Sequence, residues 1–308
     1  MVPADLYYSC MPRLILLTTL LLCAGVTTAG PVPAWLIRLP ESTTTVFIAE
    51  TDASAFHRFD RDGDGVSGVR QDNMSIGQGG TGKTRAGDQK TPLGIYFVTE
   101  QLDTTRMHEK YGVMAFPLDY PNARDRRMGR TGDGIWVHGV DSRAGPRPKL
   151  DTDGCIALPN DRLLALEAAF KPNVTPVLIG TRLAWTEPAV IAALRDELER
   201  AVARWAEGLE TQDMFAYLDS YDDAFERWGM SRAEWAAFSL QTTGKRPITS
   251  VAVSDLLLLA DPAEEGLYFS RFRLEVRERE GPTVVSMRRM YWRRSASGAM
   301  RIVTEDSG

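Results

Sequence analysis

"HGVDSRAGPRPKLDTDGCIALPND", residues 138–161, sets a histidine and a cysteine at opposite ends of a turn-rich segment. His138 falls late in "GIWVHGV" (134–140), an apolar run bounded by glycine that reads as a short strand. Cys155 precedes "PNDRLLALEAAF", where Asn160 or Asp161 can cap a short helix carrying Leu163, Leu164 and Leu166. A thiolate beside a helix N-terminus is favoured by the backbone dipole, which predicts a low-pKa, accessible Cys155. Gly154 permits close backbone approach, and the amides of Gly154 and Cys155 can face a developing oxyanion. A cysteine and a histidine brought together by adjacent strands are the minimum for a thiol nucleophile with its base. The same residue types also suit a strand-end histidine and an inert core cysteine. These two residues alone do not separate the readings.

The rest of the chain sharpens the cysteine question. Of three cysteines, Cys10 and Cys23 lie in the N-terminal 29 residues. There "MPRLILLTTLLLCAGVTTAG" (11–30) has a basic Arg13, an apolar run from Leu14 to Val26 and a small-residue end at Ala29. This is the pattern of a secretory signal peptide over 1–29, with Met11 as a candidate start. Cys23 invites a lipoprotein reading, but Leu22 before it is not the small residue such processing favours. The protein is therefore expected to be exported to the periplasm or cell envelope. The remaining chain keeps only Cys155, which cannot form an internal disulfide and is either buried and inert or reactive. A net charge of −5 argues against a nucleic-acid partner.

"GQGGTGKT" (77–84) matches the phosphate-binding loop pattern at every specified position. Such a loop must open a helix, and here Gly87, Pro92 and Gly94 follow, which forbid one. No nucleotide and no other cofactor is expected. Asp60, Asp62 and Asp64 sit at the offsets of a calcium loop, but its twelfth position is Gln71 rather than glutamate. A hairpin turn rich in Asp and Gly reads the same way. His57 and His108 lack partners at ligand spacing and are expected on the surface, so zinc is not supported.

Residues 30–184 are β-rich and broken by turns, with alternation at 44–59 and strand-like runs at "TPLGIYFV", "GVMAFPL", "GIWVHGV" and "TPVLIG". The character changes near Trp185. "TEPAVIAALRDELERAVARWAEGL" has helical spacing, "DMFAYLDSYDDAF" stacks Phe215, Leu218, Tyr221 and Phe225, and "SRAEWAAFSLQ" gives a third helix. Four alternating strands follow, so 185–308 reads as an α+β unit with Trp205, Tyr221, Phe225 and Trp235 as core.

The residues around the pair resemble the L,D-transpeptidase catalytic domain, the YkuD-type fold. "HGVDSRAGPRPKLDTDGCIAL" resembles that family's H-G followed by [ST]-x-G-C-[IV], and "GDQKTPLGIYFV" looks like its strand-entry segment. The resemblance covers about residues 44–180. It implies a β-rich catalytic domain acting on peptidoglycan stem peptides, with Cys155 as nucleophile, His138 as base and the Gly139 carbonyl orienting the imidazole. It further implies oxyanion or substrate contacts at Gly154, Asp153, Thr152 and Tyr120. Asp153 stands where the family often has His, and Ala157 where it often has Arg, which puts carboxylate recognition and full transpeptidation in doubt. The implied activity is L,D-transpeptidation of tetrapeptides, with L,D-carboxypeptidase trimming or a non-catalytic wall-binding role as alternatives. The intact Cys/His/Gly set speaks against the last. The tail resembles the nuclear transport factor 2-like fold, a pairing also found among L,D-carboxypeptidases that govern cell shape. It is expected to fold alone and to bind glycan, a partner protein or a second copy. No Cys or His follows Cys155, so a chain ending near Trp185 is expected to keep the chemistry.

Overall fold

The computed structural model describes residues 1, 30–143, 145, 147–242 and 247–307. The candidate export segment therefore lies outside the described residues, apart from Met1. In chain order the first part holds β1 (Val32–Pro33), β2 (Leu36–Arg38), β3 (Thr45–Glu50), β4 (Ala55–Asp62), β5 (Gly65–Asn73), β6 (Ile76–Gly77) and β7 (Gly94–Phe97). There follow β8 (Ala115–Pro117), α1 (Ala123–Arg127), β9 (Trp136–His138), β10 (Leu150–Thr152), β11 (Ile156–Ala157), α2 (Asn160–Leu166), β12 (Pro176–Gly180) and β13 (Trp185–Thr186). The second part holds α3 (Pro188–Glu210), α4 (Met214–Asp219), the two-residue strands β14 (Glu226–Arg227) and β15 (Met230–Ser231), and α5 (Arg232–Thr242). It ends in the meander β16 (Ile248–Ala260), β17 (Leu267–Glu278), β18 (Val284–Arg294) and β19 (Met300–Ser307).

Two five-stranded sheets form the frame. The first runs β5-β4-β3-β12-β7 and the second β19-β18-β17-β16-β2. Successive strand side chains point to opposite faces, so a strand buried on both faces reads as an unbroken apolar run. In β3, Phe47 and Ala49 enter the core under the short strands and α2, whereas Val46 and Ile48 face the second sheet. Tyr96 and Ile95 of β7, and Val177 and Leu178 of β12, divide in the same way. Across the interface, Leu257 and Leu259 of β16 meet this first sheet, while Leu256 and Leu258 pack with Leu198, Val202 and Trp205 of α3. The run "LLLL" at 256–259 is thus a strand gripped on both faces.

The two halves are joined in space, and two expectations about helices need correction. The boundary at 184/185 divides the sequence but not the space, because Leu36 and Arg38 of β2 pair with Leu259 and Leu258. The core between the sheets is likewise drawn from both halves. The second expected helix stops at Asp219, which leaves Phe215 85% exposed and places Tyr221 and Phe225 beyond the helix, though buried. Neither Asn160 nor Asp161 caps α2; Pro159 holds that position without a side-chain bond.

Candidate active site

A three-stranded sheet, β11-β9-β8, joins the two ends of the segment 138–161. β11 runs parallel to β9 with Ala157 opposite His138 and Ile156 opposite Val137. Cys155, one residue before β11, and His138, the last residue of β9, both line a cleft of ≈ 500 Å³. Val137 and Ile156 are fully buried and anchor the pairing from below.

His138 is 4% exposed, and its Nδ1 lies 2.6 Å from the Gly139 carbonyl oxygen. A carbonyl only accepts, so Nδ1 carries the proton and Nε2 keeps its lone pair. Burial pushes the imidazole down to about 4, against the opposing pull of the Gly139 carbonyl. The ring is neutral at neutral pH. The Tyr111 ring meets it edge-on with centroids 5.3 Å apart.

Asn160 fixes the chain beyond the histidine. Its Oδ1 accepts from Val140 N at 2.9 Å, and its Nδ2 donates to Val140 O at 2.8 Å. A Cβ on Gly139 would lie 2.3 Å from that Oδ1, so only glycine fits there. Sequence reasoning assigned Asn160 to a helix cap and missed this clamp, since both roles suit an asparagine before a helix.

Cys155 departs from expectation. α2 starts only at Asn160, so the thiol is not at a helix N-terminus. The residue is 8% exposed, and Sγ donates to the Gly134 carbonyl at 3.4 Å. Burial pushes the thiol up, outweighing a backbone hydrogen bond from Trp136 and the charge of Lys110. The low-pKa, accessible thiol is corrected to a buried, neutral one at rest.

The neighbouring backbone is pinned. Gly154, at φ 128°, donates its N–H to Thr152 Oγ1 at 3.1 Å and accepts from Thr91 Oγ1 at 2.9 Å. A Cβ there would meet the Lys90 carbonyl oxygen at 2.8 Å. Thr152 Oγ1 in turn donates to the Cys155 carbonyl at 2.7 Å. The Gly154 amide is therefore already engaged, contrary to the oxyanion role expected for it. Asp153 is exposed and pairs with Lys110 at 3.1 Å on the cleft rim. Tyr120 is buried and bonds the Thr131 carbonyl at 3.1 Å, away from the cleft wall.

The phosphate-loop look-alike also reaches the cleft. Lys83 is 4% exposed, with Nζ 2.8 Å from Asp88 Oδ1 and 3.1 Å from the Arg85 carbonyl. Burial pushes the Asp88 carboxyl up, but Lys83 and the amides of Thr84, Arg85 and Lys90 overcome this and hold it well below the usual range. Arg147 paired with Asp151 lines the cleft as well. Elsewhere, Asp60 on β4 accepts from Thr45 of β3 and from Arg58 on its own strand, whereas Asp62 and Asp64 are exposed near the β4–β5 turn. Among the described residues no group of three His, Cys, Asp or Glu can hold a metal ion. His57 is not a free surface residue, since Nε2 lies 2.9 Å from Glu50. His108 is exposed and caps the 3-10 turn Glu109–Tyr111. Among the described residues no helix is long and apolar enough to cross a membrane.

Comparison with known proteins places the same region. Residues 47–179 match the L,D-transpeptidase catalytic domain family, YkuD. Among solved structures, Bd1075 of Bdellovibrio bacteriovorus aligns at 24% identity over 91% of this chain and 98% of its own, with a TM-score of 0.75. The helical cell shape determining protein Pgp2 of Campylobacter jejuni aligns at 21% identity over 90% of this chain and 96% of its own, also with a TM-score of 0.75. These likenesses show a fold shared across both halves. No curated protein matches the chain.

Proposed function

We propose that this chain, which carries an L,D-transpeptidase catalytic domain over residues 47–179, remodels peptidoglycan by cysteine acyl transfer on stem tetrapeptides. The observation that carries the reading is the shared cleft, lined by a thiol and by an imidazole with its Nε2 unprotonated at the ends of adjacent strands. A neutral thiol beside a neutral imidazole favours proton transfer during attack over a standing thiolate–imidazolium pair. His138 Nε2 takes the Cys155 proton as sulfur adds to the carbonyl between residues three and four of the stem. The Cys155 amide is the candidate donor to the oxyanion, because that of Gly154 is engaged. His138 then protonates the leaving amine, the terminal D-residue departs and a thioester remains. An amine from a neighbouring stem resolves it to an L,D-crosslink, while water gives a tripeptide.

Ala157 favours the hydrolytic second reading. It is 2% exposed and bridges to Ser75, so it offers no cation to a carboxylate. Residues 185–308 we read as a nuclear transport factor 2-like unit that binds glycan, a partner protein or a second copy. The protein would act outside the cytoplasm, in the periplasm or cell envelope. Incubation with disaccharide tetrapeptides, followed by mass separation, tests the reading. Crosslinked dimers mark an amine acceptor, tripeptides mark water, and unchanged tetrapeptide contradicts both.

A further inference from the structure

The segment from Leu118 to Ile135 links β8 to β9, and its last residues, Gly132 to Gly134, wall the cleft beside Cys155. Its first half is held jointly by β7 of the first sheet and by the second sheet. Asp119 accepts from Phe97 N at 2.7 Å through one oxygen and from Arg289 Nη1 of β18 at 2.7 Å through the other. Asn122 Nδ2 donates to Ile95 O at 2.9 Å and to the Tyr291 hydroxyl, also on β18, at 3.1 Å. Arg124 reaches Glu264 at 2.8 Å in the β16–β17 turn, and Arg127 donates to the Ala224 carbonyl at 2.6 Å.

Hydrogen bonds carry this hold onward to the thiol. Asn122 and Asp125 form a reciprocal capping box on α1, and Asp125 takes Arg130 Nη1 at 2.8 Å. Tyr120, itself buried, ties the Thr131 carbonyl at 3.1 Å. Thr131 N donates to Thr84 O at 3.1 Å. Gly132 then packs where a Cβ would meet Ala86 Cα and Lys83 Cε, both at 3.2 Å. Two residues later the Gly134 carbonyl holds the Cys155 thiol. Hydrogen bonds, the covalent chain and the close packing at Gly132 join one 18-residue stretch to its spatial neighbours, so the stretch has few independent ways to move.

We infer that Arg289 and Tyr291 are positioning residues for the thiol: the C-terminal sheet, by gripping Asp119 and Asn122, sets the wall that orders Cys155. The C-terminal half thus helps build the reacting site besides any binding it does. Loosening the grip should have opposite effects on two measurements. A displaced wall admits a small alkylating agent to the buried sulfur, while the thiol loses the alignment that turnover needs.

The test uses the full chain carrying Arg289→Ala, Arg289→Lys, Tyr291→Phe or, as a control on the same strand, Arg294→Ala, whose partner Glu197 lies on α3. Iodoacetamide labelling of Cys155 and amide exchange over 129–134 are read beside kcat and KM on a soluble tetrapeptide. Arg289→Ala and Tyr291→Phe are expected to label about tenfold faster and to lose kcat by a similar factor with KM little changed. Exchange over 129–134 should rise, Arg289→Lys should recover much of the loss, and Arg294→Ala should match the parent. Should Arg289→Ala unfold, Tyr291→Phe, which removes a single hydroxyl, decides the matter. Labelling and exchange at parent rates in a folded variant overturn the inference. The turnover arm rests on the proposed acyl transfer. The labelling and exchange arms do not, so a parent protein without turnover would fault that function and leave the positioning testable.

Discussion

Ala157 lies opposite His138 in the parallel pairing of β11 with β9, and this register sets Cys155 beside the start of β9 while both residues line one cleft. Because strand side chains alternate, a shift by one residue would turn His138 into the core and remove it from the cleft. The site is thus set by strand register, with Val137 and Ile156 fully buried beneath it.

The resting thiol should be neutral. Alkylation of Cys155 by iodoacetamide should climb on the alkaline side, with a midpoint above the ordinary thiol value of about 8.5 and no step near 6.5. His138→Ala should leave that profile almost unchanged while lowering turnover by about 100-fold or more. Fast labelling at neutral pH that vanishes in His138→Ala would reveal a standing ion pair and contradict the buried neutral site.

The histidine's burial has a consequence for stability. Its folded pKa lies near 4, below its unfolded value, so the unfolded chain binds more protons between about 4 and 6.5. The contribution is present above pH 6.5 and is lost as pH falls toward 4. Asp119 and Asp261, both raised to about 6 by burial, act in the opposite sense over the same range. The melting difference between the parent and His138→Gln cancels those carboxylates. That difference should move against the parent on acidification, by up to about 3 kcal/mol. A difference independent of pH would contradict a buried neutral imidazole.

The GQGGTGKT loop should bind no nucleotide. Lys83 points inward to Asp88, and no helix follows to present amides to a phosphate. Calorimetric titration with magnesium ATP should show no heat of binding at micromolar concentration. Lys83→Ala should instead destabilise the fold, because Asp88 loses its ion-pair partner. Nucleotide affinity that Lys83→Ala abolishes would reverse this assignment.

Much of this was legible before the structure. The alternation of β3 and β4 and the four closing strands follow from local pattern, since period and turn chemistry are properties of short segments, whereas the assignment of His138 and Cys155 to one site rested on the family resemblance. The thiol's environment was not legible, because it depends on the Gly134 carbonyl, which a separate loop delivers. Asn160 was misplaced for a similar reason: its side chain reaches Val140, and only the tertiary fold brings that backbone near. The shared core escaped notice because "LLLL" does not say what lies on each of its faces.

That shared core yields another prediction. A chain ending near Trp185 would lose the strands covering Val46, Ile48, Ile95, Phe97 and Leu178 and would expose them to water. It should express as aggregate or bind an apolar dye, whereas the full chain does neither. A monomeric, cooperatively melting fragment with a parent-like Cys155 would show that the first sheet stands alone.

Whether Cys155 carries the acyl group is decided by intact-mass spectrometry of an acid-quenched reaction. The full-length protein is mixed with disaccharide tetrapeptide and quenched within the first turnover. An adduct equal to the muropeptide less its terminal residue is expected, mapped to the peptide containing Cys155 and absent in Cys155→Ala. Release of the terminal D-residue by Cys155→Ala, or turnover by the parent with the adduct on another residue, would contradict it.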